Sequence, residues 1–536
     1  MKREEWRWLA AMTAIAVLVT SLPTLILMAQ ASADRPFVAL PLLDNDVISY
    51  LAKMRHGAMG EWLYQNPYTS LAHVASPIYL IYLLLGHAAA LTSDARIGLD
   101  RLVAVYQAAR MLFSVAMLII LYRLIAEFLE EIRFRRLAWL LIVYGGGLGW
   151  LLIVLSGSTL PFSGPPLDLY LAEATMIVPL LILPHTLLAR SALYGGIIAM
   201  LWADRQGDWK AVGVAGGCWL IATVAIPFDV LVAGAIMGGW LVMRWLSQRR
   251  VPIRLGLMAG MAGLPAVFFA LGTLAIIKGD RVYAAWQAQN TLPIPSPVHL
   301  LSMFGVQIGL AIPAVMLAWR RRMPQVDLLT GWLIASPLLI LIPVPYQLRL
   351  IESFSVPLGL AVALFFKSLD GWVRKVSLAL TVGALAPTTL FLLLGAIGLS
   401  VYGRDQVLLR PDLAALLEWL RVHGDRDSVV LSSTEEGVLI PAVAPVLAVL
   451  GHPFETPGYA ELSATVRDFY SIKMTESQSR EFLRKYLVRY ILVGPHEMAL
   501  ACPDSNCAAE ATIAAGTSLE IVFEQGKYHL YRIIAP

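Results

Sequence analysis

Charge is scarce in this chain. Only 15% of its 536 residues are Asp, Glu, Lys or Arg, while 58% are hydrophobic. Soluble domains run nearer a quarter charged and half apolar, so a soluble globular protein is excluded and a polytopic membrane protein is expected. Basic blocks are missing too. The net charge is +4, and no stretch interleaves Lys or Arg with aromatics, so nucleic acid is not an expected partner. Of three cysteines, Cys218 lies in an apolar run and Cys502 and Cys507 lie near the C-terminus. That last pair can close one small disulfide loop if it faces an oxidising compartment. Two thiols are too few for a zinc site, so no metal and no cofactor are predicted, and a divalent metal is left open. No G-x-G-x-x-G phosphate loop, internal repeat or low-complexity segment is present.

What the chain has instead is long apolar runs. Windows of spanning length fall near 9–29, 104–124, 137–155, 174–201, 210–226, 230–246, 255–277, 298–319, 327–344, 353–367 and 376–400. Ala31-Ser32-Ala33 fits a signal-peptide cleavage pattern. The run from Leu9 to Ala29 is nevertheless longer than a usual signal core, so a retained first span is expected. A further window, 73–92, is apolar enough to cross but contains His73, Pro77 and His87. The positive-inside rule decides its reading. If it does not cross, Lys2, Arg3, Arg7, Arg133, Arg135, Arg136, Arg249, Arg250 and Arg320 to Arg322 all fall on the cytoplasmic side. If it crosses, that pattern inverts. We therefore read 73–92 as a helix in the outer leaflet and expect about eleven crossings, with the N-terminus cytoplasmic. The window 174–201 contains Pro179, Pro184 and Arg190, and an end near Arg190 with an interfacial continuation is the alternative there.

After Tyr402 the composition turns mixed. LRPDLAALLEWLRVHG, TVRDFYSIK and ESQSREFLRKYL read as helices, and DSVVLSS, VRYILVG, LEIVFEQG and KYHLYRII as strands. The fold class is thus a polytopic α-helical membrane protein with outer-leaflet juxtamembrane helices. Residues 1–403 form the membrane domain, and 404–536 form an extracytoplasmic α/β domain.

Polar chemistry gathers on the outer loops of this topology. Asp44 and Asp46 follow the first span, where Asp44 or Asn45 can N-cap the next helix and place Asp46 in its first turn. Val47, Tyr50, Leu51, Met54 and Ala58 then make an apolar stripe, with Lys53 and Arg55 off it. A second loop brings Asp168 and Glu173 to the start of a span, and a third offers Lys278, Arg281, Trp286 and Gln289. The short PVPYQLRLIESF puts Arg349 and Glu352 between two spans. A charge so close to hydrocarbon is usually paired or functional, so Arg349 either pairs with Glu352 or binds a phosphate. Arg110, within its span, raises the same choice. His452, Glu455 and Tyr459 of GHPFETPGY read as loop-packing residues.

Carboxylates, arginines and aromatics at bilayer-surface depth suit transfer from a lipid-phosphate donor. That chemistry needs a cation for the leaving phosphate, a carboxylate base for the acceptor hydroxyl and an apolar groove for the prenyl chain. DNDVISYLAKMRHGAMGEW, NPYTSLAHVASPIYLIYLLLG and AARMLFSVAMLIILY with its following FRR turn resemble the GT-C superfamily of membrane glycosyltransferases, which includes protein O-mannosyltransferases and aminoarabinose transferases. The resemblance covers about the first 200 residues closely and the rest in layout. It implies an inverting transfer of a sugar from a polyprenyl-phosphate-linked donor to an acceptor lipid, glycan or protein, at the outer face of the plasma (inner) membrane. Asp46, with Tyr50 four residues on, best fits the family's catalytic aspartate, and Asp44 is second. The family often has a second acid directly after that aspartate, where Val47 stands here. Arg55, Glu173, Lys278, Arg281, Arg349 and Glu352 are the candidate substrate-binding residues. Two other classes stay open: a transporter or flippase for a lipid-linked glycan, and a non-catalytic envelope scaffold.

Overall fold

The structure, a computed structural model, describes residues 2–40, 42, 44–91, 97–156, 166–403, 407–501 and 518–535. Helix dominates because hydrocarbon offers no water to backbone polar groups, and a helix satisfies them within its own segment. In chain order, α1 (Arg3–Gln30) is followed by the short helices α2 (Asp44–Ala58) and α3 (Leu80–Ala90), then by α4 (Leu99–Phe128). α5 (Ile132–Tyr144) and α6 (Gly149–Ser156) form a pair bent by 46°. Next come α7 (Ile177–Ile182), α8 (Pro184–Gln206), α9 (Trp209–Ala225), α10 (Asp229–Gln248), α11 (Ile253–Gly279) and α12 (Arg281–Gln289). α13 (Pro297–Arg320), α14 (Val326–Leu339), α15 (Ser355–Ser368) and α16 (Gly371–Tyr402) complete the apolar set.

Among the described residues eight helical segments are long and apolar enough to cross a membrane: α1, α4, α8, α10, α11, α13, α16 and Gln347–Ser368, which ends in α15; the bent pair α5–α6 makes nine if it is one span. The chain is a multi-pass membrane protein. Two further windows of the sequence reading are α9 and α14, apolar but only 17 and 14 residues long. The ambiguous window 73–92 holds α3, of 11 residues. At about 1.5 Å per residue, such a helix covers roughly half of a ~30 Å hydrocarbon core, which fits a non-crossing element. The window 174–201 differs from both expected forms. Its break lies at Leu183, and α8 runs from Pro184 through Arg190 without interruption. Proline at a first helical position loses no intrahelical bond, so Pro184 starts a helix and does not kink one.

The chain forms two compact units: Met1–Pro23, Ala108–Gly272 and Leu292–Leu399 in the first, and Thr24–Gln107, Thr273–Thr291 and Ser400–Pro536 in the second. The first has one apolar core that includes Leu121, Trp139, Leu180, Tyr194, Trp240, Trp332 and Phe366. A Cβ on Gly239 would lie 2.4 Å from the Gly331 carbonyl oxygen, so α10 and α14 cross backbone to backbone. The bend between α5 and α6 is held by buried Asp168, whose Oδ2 accepts from Gly147 N at 3.0 Å, Gly149 N at 3.0 Å and Thr388 Oγ1 at 2.9 Å. Arg110 donates to the Leu180 carbonyl at 2.6 Å and to Ser21 Oγ at 2.9 Å, an interior clasp.

The second unit contains the sheet. α17 (Pro411–His423) precedes β1 (Val429–Leu431), α18 (Thr434–Val443), β2 (Leu447–Ala448), α19 (Tyr459–Tyr470) and α20 (Glu476–Lys485). β3 (Val488–Val493), α21 (Pro495–Ala501), β4 (Ser518–Gln525) and β5 (Tyr528–Ala535) follow. The strand order is β2-β1-β3-β5-β4. β1 pairs in parallel with β2 and β3, with Val430 opposite Ala448 and Tyr490, whereas β5 runs antiparallel to β3 and β4. Cys502 and Cys507 lie outside the described residues. In the same unit, α2 and α3 also meet at glycines. A Cβ on Gly57 would lie 2.0 Å from Leu83 O, and one on Gly86 would lie 1.9 Å from Met54 O.

Candidate functional site

Helix α2 begins at Asp44, so Asp46 falls in its first turn, where the helix dipole favours a negative charge. The Asp44 side chain lies outside the described residues. Asp46 is partly exposed, and its Oδ1 is 3.3 Å from Nε2 of His452. His452 is buried, and its Nδ1 accepts the backbone N–H of Phe454 at 3.2 Å. A neutral ring whose Nδ1 accepts carries its proton on Nε2, so that proton faces the aspartate. His452, read from the sequence as a loop-packing residue, is thus a described partner of the leading candidate base.

Beneath this pair lies a buried charge network. Lys53 is fully buried, its Nζ 2.7 Å and 3.0 Å from the two carboxylate oxygens of Glu455. Ser49 Oγ donates to the same carboxylate at 2.7 Å, Tyr64 OH donates at 3.1 Å, and Lys53 also donates to Ser49. The Lys53 ammonium lies 4.0 Å from the Tyr79 ring centroid, with Tyr50 and Tyr64 farther off. Burial acts to raise the Glu455 carboxyl, but the Lys53 charge, with His452 and Ser49, holds it below its ordinary value. Burial pulls the Lys53 ammonium down against the pull of Glu455. Lys53 and Arg55, read from the sequence as lying off the apolar stripe, are thus both buried. Further polar contacts hold the 452–458 loop. Gln289 Nε2 donates to Phe454 O at 3.0 Å and Thr456 O at 2.5 Å, and Asn66 Nδ2 donates to Glu455 O at 2.7 Å.

The other candidates of this unit are placed differently. Arg55 donates to Ala442 O at 2.9 Å and Ile97 O at 3.0 Å, so its fork holds backbone, and its Nη2 is buried without a hydrogen-bond partner among the described residues. Lys278 and Arg281 are exposed, Arg281 as the first residue of α12 after the N-cap Asp280.

In the first unit, the described ion pair of Arg349 is with Glu173 and that of Glu352 is with Arg190. Arg349 Nη1 lies 3.1 Å from Glu173 Oε1, and the arginine side chain is 39% exposed. Glu352 is fully buried and pairs with Arg190 at 2.7 Å and 3.1 Å, while Ser353 Oγ donates to it at 2.9 Å. Arg190 spends its remaining donors on Thr175 O and Ala172 O, each at 2.7 Å, and on Met176 Sδ. Glu173, expected at a span start, sits in the turn before α7, on the segment that Arg190 holds. Asp229, which no sequence pattern marked, opens α10. It is buried, neither carboxylate oxygen has a hydrogen-bond partner among the described residues, and Glu352, Arg190 and Glu173 all act on it electrostatically.

No family model matches the chain, and no curated protein matches its sequence. Solved structures do match its fold. The oligosaccharyltransferase of Archaeoglobus fulgidus, crystallised with a disulfide-tethered acceptor peptide containing the NVT sequon, aligns over 95% of this chain and 71% of its own, with a TM-score of 0.54 at 15% identity. The same enzyme, AglB, in complex with an inhibitory peptide and a dolichol-phosphate, aligns over 92% of this chain and 70% of its own, with a TM-score of 0.53 at 14% identity. ArnT from Cupriavidus metallidurans bound to undecaprenyl phosphate aligns over 98% of both chains at 12% identity, with a lower TM-score of 0.45. At such identities the likeness is one of fold, and the fold is the GT-C type that the sequence resemblance implied.

Proposed function

We propose that this protein transfers a sugar, with inversion, from a polyprenyl-phosphate-linked donor to an acceptor hydroxyl at the outer face of the membrane, with Asp46 as general base. The observation that carries the reading is Asp46 itself: a partly exposed carboxylate in the first turn of α2, directed by His452 and backed by the buried Lys53–Glu455 pair. Its support is the shared fold with an oligosaccharyltransferase that has been captured with an acceptor peptide and a dolichol-phosphate. In the step, the acceptor oxygen attacks the anomeric carbon and gives its proton to Asp46. The bond from that carbon to the lipid phosphate breaks, and the phosphate leaves with the electron pair. One base and one displacement invert the anomeric centre. The second unit's described donors around Asp46 do not make a metal set, because Glu455 is committed to Lys53. The proposed topology keeps the N-terminus cytoplasmic and 404–536 extracytoplasmic.

The test works whichever sugar is transferred. Envelope glycans of a deletion strain are compared by mass spectrometry with those of strains re-expressing wild type or Asp46→Asn. A glycan lost on deletion should return with wild type and not with the variant at equal protein level. General-base catalysis is worth ~10²–10⁴ in rate. Full restoration by Asp46→Asn would sink the assignment.

A further inference from the structure

The sheet of the second unit reverses its strand order next to β1. From β1 the chain crosses through α18 to β2 on one side, then returns through α19 and α20 to β3 on the other. The carboxyl ends of β1 and β3 therefore flank a topological switch point, the place where open α/β sheets take their ligands. Ser432 and Ser433 leave β1 there, and Gly494 leaves β3.

Four ionisable side chains converge on that crevice. Glu435 and Glu436 come from the first turn of α18, and His496 and Glu497 from the first turn of α21. Glu436 is 1% exposed, and its Oε1 lies 2.6 Å from His496 Nδ1. Tyr528 OH donates to the same oxygen at 3.2 Å, and Ser433 Oγ donates to the other. Glu497, fully buried, accepts Ser433 N at 2.6 Å and Gly494 N at 3.0 Å, tying the two strand exits together. One donor atom each from Glu435, Glu436 and His496 lies within 4.8 Å of the others, a grouping unique among the described residues. Glu435 is exposed and the His496 side chain is 53% exposed, so the group opens to solvent.

We propose that Glu435, Glu436 and His496 bind a divalent transition-metal cation, zinc or manganese, at this switch point, with an open coordination position toward solvent. One imidazole and two carboxylates form a mixed nitrogen and oxygen set suited to those ions. A bare His–Glu ion pair needs neither the second carboxylate nor the orienting hydroxyls. Tyr528 and Ser433 hold Glu436 as outer partners hold metal ligands. Glu497 keeps both ligand-bearing turns in register. The group shares no residue with the Asp46–His452 pair and does not rest on the glycosyl-transfer reading.

The test is titration calorimetry of the full chain in detergent, stripped with EDTA, against zinc chloride and then manganese chloride. Wild type should bind one equivalent more than Glu435→Gln or His496→Ala, and Tyr528→Phe should weaken that equivalent by ~10–100-fold. Glu435 is exposed, so Glu435→Gln should melt like wild type in EDTA, which separates lost ligation from lost folding. Asp46→Asn should keep the equivalent. Equal stoichiometry in wild type and both ligand variants, or no binding by wild type to either metal, overturns the proposal.

Discussion

Each compact unit buries an ion pair among its described residues, and the two are built differently. Arg190 in the first unit spreads a planar fork over Glu352, two backbone carbonyls and a methionine sulfur, and both partners are 1% exposed or less. Lys53 in the second is a point charge on one carboxylate and one hydroxyl, with tyrosine faces around it. The arginine therefore fixes a backbone path, residues 172–176, which carries Glu173. The lysine fixes side chains instead, holding α2 to the loop that carries His452. A guanidinium in protein cannot discharge, whereas both members of the lysine pair can. The two pairs should fail differently when cut.

The largest effect is expected from Glu352→Gln. It strands a permanent charge in the interior of the first unit, and breaking a buried pair in this way costs ~3–5 kcal/mol. Lys53→Met should cost less, because the stranded Glu455 can take up a proton. From the ordinary Glu value of 4.5, that electrostatic cost is capped at roughly 3.4 kcal/mol at pH 7. Adding Glu455→Gln to Lys53→Met should recover part of the loss. Thermal melts in one detergent decide the order, and a larger fall for Lys53→Met than for Glu352→Gln breaks the comparison.

Neither pair was legible in the sequence, for a physical reason. Glu455 is 402 residues from Lys53, and Glu352 is 162 from Arg190. Hydropathy and periodicity are local signals, and they mark a buried charge as an anomaly without naming its partner. Hence Lys53 reads as the polar side of an amphipathic helix, although tertiary partners cover it. His452 and Glu455 sit in a Pro-flanked loop with no period at all. Helix α18, TEEGVLIPAV, was invisible as well: it is buried nearly all round and contains Gly437 and Pro441, which erase the amphipathic pattern. What was legible depended on length and caps: the long spans, the strands of 488–493 and 518–535, and Asp46 in a first turn after an Asp/Asn start. The split at Leu183 was hidden because the apolar run continues across it.

A smaller effect separates the units by pH. His56 on α2 is partly buried, and burial, reinforced by the charges of Arg426, Lys53 and Arg55, pushes its imidazole down to about 4. The unfolded chain takes up that proton near 6.5, the folded one only near 4. Between those values the unfolded state binds more protons, so His56 contributes stability above about 6.5 that is lost as pH falls toward 4. Glu455, held below its ordinary 4.5, adds a loss of the same sign at lower pH. Comparing wild type with His56→Gln isolates the first contribution: the variant should be less sensitive to acidification from pH 7 to 5. Identical pH profiles would show that the imidazole is not shielded.

The smallest effect on stability belongs to Arg349, the exposed counterpart of Arg190. Its side chain is 39% exposed and pairs with Glu173 at 3.1 Å. Pairs that reach solvent are worth ~0–1 kcal/mol, so Arg349→Lys, which keeps the charge beside Glu173, should leave the melting temperature nearly unchanged. Its proposed role is different in kind. A planar fork takes two phosphate oxygens at once, whereas an ammonium offers a single charge. Binding of undecaprenyl phosphate to the purified chain should therefore fall for Arg349→Lys and fall further for Arg349→Ala. Retention of wild-type binding by both variants would leave Arg349 with a structural role beside Glu173. A weakened Arg349→Lys with an unchanged melt would instead separate a ligand-facing arginine from the structural arginine buried at position 190.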